Sequence, residues 1–336
     1  MRKAIVLLAI IFQVLVLFYM AGDREHILRN GKIIHLRTAP IDPRDMFRGD
    51  YVRLNYEISR IPVKKIIDTN SFNELKKGAK IYVILKEGPN GLYEMVNASF
   101  KKPDDGFYLR GRIPYEYKHL RPGNPFWINY GIEAYFVEQG KGRDIEKRWG
   151  NRTSVQVPLE MAIAVGRNGK AVIKGDRWSP LGIGLQVLRS PPRNSQEPEA
   201  PKSAAVRLTL ANASDKPLAI VDLADYCSFS VEPVSWAKQQ WVPANIPCNQ
   251  PLPTDNDVIV LRPQQEKNFI FDFSDERWFV RHNDDVREIG ILEWSEQFRI
   301  VYRPPDEYDC QHLAKHEFIW HGYLPSRLFH GRGQID

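Results

Sequence analysis

The chain has 336 residues, a formal net charge of +6 and 26% charged residues of both signs. Its length suggests about two domains. Because the lysines and arginines form no block among the acidic residues, we expect no nucleic-acid partner. Aromatic residues make up 11% of the chain, and runs of β-branched residues recur between prolines. This composition predicts a mainly β protein.

Residues 1–22 predict a transmembrane signal anchor. Arg2 and Lys3 precede an apolar run at 4–20 that only Gln13 interrupts. If residues 21 and 22 join it, the run can just cross a hydrocarbon core of about 30 Å. The two basic residues hold the N terminus in the cytoplasm, so the rest of the chain is expected outside it. A cleaved signal peptide is the alternative, although bulky residues stand where a cleavage site needs small ones.

Residues 23–187 are expected to form a first domain of antiparallel strands. The alternating runs lie at 32–37, 51–58, 80–86, 92–100, 107–113, 129–137, 155–165 and 171–174. Asn-Gly steps at 90–91 and 168–169 separate neighbouring runs, and such a step is the strongest short-range signal of a β-hairpin. The layout predicts an antiparallel β meander, most simply a barrel-like, closed or nearly closed sheet.

The most informative stretch is a charged turn that leads into the run at 51–58. In this run Leu54 and Tyr56 are expected to face the core, and Tyr51 and Arg53 the opposite side. The turn is interpreted as a structural turn held by local hydrogen bonds and ion pairs, or else as a partner-binding surface. Its candidate residues are Asp42, Arg44, Asp45, Arg48, Gly49 and Asp50.

The residues 49–56, Gly-Asp-Tyr-x-x-Leu-x-Tyr, resemble the motif after which the bacterial GDYXXLXY protein family is named. Runs at 78–85, 130–137 and 162–171 are similar to later blocks of that family, so the resemblance covers roughly residues 1–175. The family's members are membrane-anchored proteins. The resemblance therefore implies a membrane anchor and brings no particular activity with it.

No catalytic site, cofactor or metal site is expected. The Gly-Asp-Tyr step is loosely similar to the opening of signal-peptidase-type barrels, which need a serine just upstream. Thr38 is the only hydroxyl residue between positions 32 and 50. His312 and His316 could share a metal ion, but no second ligand pair of matching spacing follows. The alternative hypothesis is a ligand-binding or hydrolytic protein with its site near Asp42 to Tyr56.

Residues 188–203 contain four prolines and predict a stiff polar linker between the domains. Residues 204–336 hold about seven short alternating runs separated by Pro, Asn and Asp, which predicts an immunoglobulin-like β-sandwich. All three cysteines lie in this part. Outside the cytoplasm Cys227 and Cys248 are the preferred disulfide pair, while three free thiols, including Cys310, remain possible.

Together these features predict a single-pass protein of the bacterial inner membrane with most of its chain in the periplasm. The expected partners are the membrane, through the N-terminal helix, and another envelope protein. We interpret the chain as a non-enzymatic, membrane-tethered accessory or interaction protein.

Overall fold

A computed structural model describes residues 2–39, 51–67, 74–118, 125–138, 145, 155–190, 203–233, 242–243, 248, 252–282, 285–292 and 296–331. Over these residues the protein is mainly β, as predicted, with antiparallel sheets and one long N-terminal helix. The charged turn at 40–50, which contains Asp42, Arg44, Asp45, Arg48, Gly49 and Asp50, lies outside the described residues.

Helix α1 spans Arg2–Asn30. It contains one candidate membrane span, Ile5–Asn30, whose most apolar window has a mean hydropathy of 2.6 and is not covered by the rest of the protein. The helix is longer than the predicted anchor, which ended at residue 22. It stops at Gly31, whose amide donates to the carbonyl oxygen of Ile27 at 2.8 Å.

The first domain follows the helix directly. Its strands are β1 (Lys32–Ala39), β2 (Tyr51–Arg53), β3 (Asn55–Tyr56), β4 (Arg60–Pro62), β5 (Glu74–Leu75), β6 (Lys80–Glu87), β7 (Tyr93–Ser99), β8 (Phe107–Arg112), β9 (Tyr117–Lys118), β10 (Pro125–Trp127), β11 (Ala134–Phe136), β12 (Leu159–Val165) and β13 (Ala171–Trp178).

The central sheet of this domain has the order β13-β12-β1-β3, and a second sheet has the order β7-β6-β8. Strand β1 pairs with β12 from Lys32 to Arg37, so the first and the last parts of the domain are neighbours. The expected local meander is therefore only partly correct. The expected closed sheet is also corrected, because the described strands form separate short sheets linked by single bridges, such as that between His35 and Leu92.

The run at 51–58 is shorter as a strand than expected but keeps its alternation. After β3 the chain turns into a short 3-10 helix at Glu57–Ser59. Leu54 and Tyr56 are buried, at 0% and 1% exposure, and Arg53 is exposed. The side-chain period of two thus survives the break because the buried residues pack into one continuous core.

The second domain contains two main sheets, of order β14-β15-β20 and β17-β23-β24, that line one core. This arrangement of facing antiparallel sheets is that of a β-sandwich. Its elements are β14 (Leu181–Arg189), β15 (Ala205–Asn212), β16 (Leu218–Val221), β17 (Phe229–Pro233), β18 (Val242–Pro243), β19 (Val258–Leu261), β20 (Glu266–Asp272), β21 (Phe279–His282), β22 (Asp285–Glu288), β23 (Gln297–Tyr302), α2 (Glu307–Cys310), β24 (Leu324–Pro325) and β25 (Phe329–His330).

The chain passes between the domains at Ser179 and Pro180, not in the linker predicted at 188–203. Strand β14 pairs with β15 from Leu181 onward, and its apolar residues belong to the second core. The proline-rich segment therefore connects two neighbouring strands of one sheet. Composition alone does not distinguish such a connection from an interdomain linker.

The crossing point itself is tightly held. Ser179 is buried, and its amide donates to the carbonyl oxygen of Pro158 in the first domain at 2.9 Å. The carbonyl oxygen of Pro180 accepts from the amide of Ala213 in the second domain at 2.8 Å. The connection is therefore hydrogen-bonded to the first domain at Ser179 and to the second domain at Pro180.

Candidate functional site

A row of alternating charges crosses the outer face of the central sheet. Arg37 of β1 lies opposite Glu160 of β12, which in turn lies opposite Arg177 of β13. On the other side of β1, Tyr56 pairs with Thr38, and Glu57 follows directly. We call these four residues the charge row: Glu57, Arg37, Glu160 and Arg177.

Three residues of the charge row form ion pairs, and two of these three are buried. Arg177 Nε lies 2.7 Å from Glu160 Oε2, and Arg37 Nη2 lies 3.9 Å from Glu160 Oε1. Arg37 and Glu160 are only 7% and 3% exposed. Buried charges are tolerated when they are paired. Removing one partner leaves the other charge buried and unpaired, which strongly destabilises the protein. The pairing therefore ties the three strands together on the face opposite the core.

The second domain covers this row with Tyr323. Arg37 Nη1 donates a hydrogen bond to the carbonyl oxygen of Tyr323. The guanidinium carbons of Arg37, Arg299 and Arg303 lie 5.8, 5.3 and 5.3 Å from the centre of the Tyr323 ring. Cations within about 6 Å of a ring face gain cation–π attraction, most strongly when water is excluded. Arg299 is in addition paired with Glu232, at 2.9 Å.

A second contact between the domains comes from the Asn-Gly turn between β6 and β7. Asn90 has a φ of 59°, in the left-handed region that asparagine tolerates. Its Nδ2 donates to the carbonyl oxygen of His321, and its own carbonyl oxygen accepts from Arg177 Nη2 at 2.6 Å. The turn that the sequence predicted as a hairpin thus also carries a contact across the interface.

The described residues at the interface carry charges of both signs. They include the arginines Arg37, Arg60, Arg177, Arg299 and Arg303 and the glutamates Glu57, Glu160 and Glu232. Burial, together with Arg299, lowers the pKa of Arg60 to about 10. Burial likewise raises the pKa of Glu57, against the opposing effect of Arg37 and Arg299. Arg37 Nε and Nη2 are buried without a hydrogen-bond partner.

The second half of the family-like motif positions Glu57. The hydroxyl of Tyr56 donates to the carbonyl oxygen of Ile132 at 2.8 Å. The hydroxyl of Tyr130 donates to the carbonyl oxygen of Ile58 at 2.6 Å. Glu57 is therefore held between two anchored residues. Neither Glu57 as a site residue nor the charge row was predicted from the sequence, although a carboxylate on the polar face of an alternating run was a visible signal.

Of the other motif residues, Tyr51 and Arg53 lie within the described ranges. Tyr51 begins β2 and pairs with Phe136 of β11, and Arg53 of the same strand is exposed. No group of three or more His, Cys, Asp and Glu that could hold a metal ion occurs in the described ranges. His312 Nε2 and His316 Nδ1 instead lie 2.8 and 3.0 Å from backbone carbonyl oxygens.

All three cysteines belong to the second domain. Cys227 and Cys248 form a disulfide with a Cα–Cα distance of 5.7 Å, within the usual range. Cys310 is a buried free thiol beside the short sheet of β16 and β19. Burial and the nearby Asp309 and Asp306 raise the pKa of this thiol to about 11, which makes it a poor nucleophile.

The arrangement thus joins two domains and brings no nucleophile and base together among the described residues. No curated protein and no solved structure matches the chain. The family model described as GDYXXLXY protein matches residues 13–175, from within α1 to within β13, and includes three of the four residues of the charge row. Over these residues, just under half of the chain, the protein is similar to the GDYXXLXY protein family.

Proposed function

We propose that the protein is a non-enzymatic, membrane-tethered envelope protein that presents two coupled β domains to another envelope protein. The observation that carries this proposal is the unbroken connection from the N-terminal helix through the first domain to the second. A helix suited to a membrane leads into β1 with only Gly31 between them, and the charge row then couples the first domain to the second.

The exposed side chains of α1 support the tether. Large apolar residues from Ile5 to Met20 are 40–76% exposed, and the rest of the protein leaves them uncovered. Such a surface is unfavourable in water and favourable in a bilayer. The basic Arg2 and Lys3 favour a cytoplasmic N terminus, so both β domains would stand on the periplasmic side.

The closed interface supports an interaction role rather than an enzymatic one. The buried charged residues Arg37 and Glu160 are used between strands and domains. An enzyme would need a nucleophile or acid–base pair within reach of an open pocket. A body with fixed domain geometry suits a protein that recognises a partner.

Topology is tested with reporter fusions to the full-length chain. A C-terminal alkaline phosphatase should be active, a C-terminal cytoplasmic reporter should be silent, and the protein should stay in the membrane fraction after carbonate extraction. An inactive phosphatase fusion would overturn the proposed orientation. Release by carbonate, together with a mature N terminus beyond residue 20, would show a cleaved signal sequence instead.

The partner is tested by cross-linking the tagged full-length protein in cells before extraction. We expect envelope proteins to be recovered with the wild type and to be lost with Tyr323→Ala, which opens the interface. Tyr308→Ala is the matched control, because Tyr308 is 81% exposed and lies outside the interface. Equal recovery of envelope proteins with the two variants would show that partner binding does not depend on the coupling of the domains.

A further inference from the structure

The hairpin of β12 and β13 is fastened to the end of α1. Ile27 is buried, and a Cβ atom placed on Gly166 would lie 3.1 Å from Ile27 Cγ1. Lys170 Nζ lies 2.6 Å from Asp23 Oδ2. We call residues 166–170 the hairpin tip. The apolar contact and the ion pair fix the height of this tip along the helix.

That height coincides with the membrane surface. The apolar run of α1 ends at Gly22, so Asp23 is the first residue beyond it. Each headgroup layer adds roughly 5–8 Å to the hydrocarbon core, and a helix rises about 1.5 Å per residue. Positions 23–27 therefore span the headgroup layer. Because the hairpin tip contacts Asp23 and Ile27, it lies at the same depth.

The groups at this depth suit phospholipid headgroups. Arg24 and Arg167 are exposed, and neither forms an ion pair with any residue that the structure describes. Asp23 and Glu25 are already paired, with Lys170 and with Arg29. Arginine offers a planar set of donors that matches phosphate, and its charge is retained at any physiological pH.

Two tyrosines extend this surface. The hydroxyl of Tyr108 donates to the carbonyl oxygen of Arg167 at 3.2 Å. The ring of Tyr82 packs edge-on against the Tyr108 ring, with 5.5 Å between the ring centres. Tyrosine is favoured at the boundary between headgroups and hydrocarbon. Asp104 and Asp105, just before β8, are exposed. Because their negative charge opposes a preference for anionic lipids, we expect this surface to contact the phosphate of any phospholipid.

We infer that the hairpin tip docks into the headgroup layer around α1, with Arg24 and Arg167 binding lipid phosphodiester groups. The inference rests on the membrane tether proposed above and adds a lipid-binding surface to the first domain. This contact gives the first domain one orientation on the bilayer, and the closed interface then gives the second domain a defined height.

The test uses full-length protein in phosphatidylcholine nanodiscs with a fluorophore at Asn168→Cys. The natural cysteines do not interfere, since two are paired and Cys310 is buried. Lipids carrying a headgroup nitroxide should quench this label at least threefold more strongly than the same label at Lys216→Cys, an exposed position in the second domain. Equal quenching at the two positions would overturn the inference.

A variant pair tests the arginines themselves. The double substitution Arg24→Gln and Arg167→Gln should reduce quenching at position 168 by at least half, while carbonate resistance and the thermal midpoint stay unchanged. The double substitution Lys174→Gln and Lys216→Gln, at exposed sites outside the hairpin tip, is the charge-matched control and should leave quenching unchanged. Unchanged quenching in the double variant would overturn the assignment of the two arginines. A protein that fails to enter nanodiscs contradicts the tether as well, whereas an integrated protein without quenching contradicts only the headgroup contact.

Discussion

Arg37 of the first domain donates a hydrogen bond to the backbone carbonyl oxygen of Tyr323 in the second domain. The same guanidinium faces Glu160 and the Tyr323 ring, and its side chain is only 6% exposed. One residue therefore belongs at once to the central sheet and to the interface. Its Nε and Nη2 atoms are buried without hydrogen bonds, and such unsatisfied donors reduce the stability of the closed interface.

Tyr323→Ala should destabilise the closed arrangement. The substitution removes a half-buried ring that faces three guanidiniums, and we expect a loss of about 2–3 kcal/mol in the free energy of unfolding. Urea unfolding followed by tryptophan fluorescence measures it. The exposed Tyr308→Ala should change the value by less than about 0.5 kcal/mol. Equal losses for the two variants would show that the ring does not stabilise the interface.

Tyr56→Ala should be among the most damaging changes in the first domain. Tyr56 is 1% exposed, so truncation should cost about 3–5 kcal/mol. Tyr56→Phe removes only the hydrogen bond to Ile132 and should cost about 1 kcal/mol. Arg53→Ala, on the exposed side of the same run, serves as the control. A neutral Tyr56→Ala, measured by urea unfolding, would contradict the inward orientation of the motif.

Glu57 predicts a pH dependence whose sign follows from its raised pKa. The folded protein holds this proton more tightly than an unfolded chain, whose glutamate pKa is about 4.5. Ionisation of Glu57 therefore reduces stability as the pH rises from about 4.5 through the folded-state pKa. Glu57→Gln should be more stable than the wild type at about pH 8, and the advantage should vanish near pH 4.

Thermal unfolding of both proteins across this range is the measurement. If Glu57→Gln is instead the less stable protein at about pH 8, ion pairing with Arg37 and Arg299 outweighs burial. Glu94→Gln, an exposed neighbour, controls for the loss of a negative charge alone.

The cysteines should differ in accessibility and in their effect on stability. Without reductant, we expect no thiol to react in the native protein and one, Cys310, to react after unfolding in urea. Replacing Cys227 and Cys248 together by serine should cost about 3 kcal/mol, since the bond closes a sequence separation of 21 residues. Three reactive thiols in the unfolded protein would contradict the disulfide.

Local patterns were the part of this fold that the sequence could predict. The apolar run marked the long helix, and the alternation of residues 51–58 placed Leu54 and Tyr56 in the core. The Asn-Gly step at 90–91 joins two paired strands as expected. These features depend on neighbours a few residues apart, and side-chain periodicity reports such neighbours directly.

Long-range pairing was the part that it could not predict. Nothing in the alternation of β1 indicates that its partner is β12, because the period of two is the same for any partner. The proline-rich segment likewise gave no sign that β14 and β15 pair across it. The charge row depends on the first of these pairings, between β1 and β12. Arg37, Glu160 and Arg177 therefore looked like unrelated surface charges.

The distance between the two domains is the most direct test of the account that they form one body on the membrane. Spin labels at Lys86→Cys in the first domain and Lys216→Cys in the second occupy exposed positions. Double electron–electron resonance on the full-length protein in nanodiscs should give one narrow distance distribution for the wild-type background and a broad one when Tyr323→Ala is added. A broad distribution in the wild-type background would contradict the coupling of the two domains through Arg37 and Tyr323.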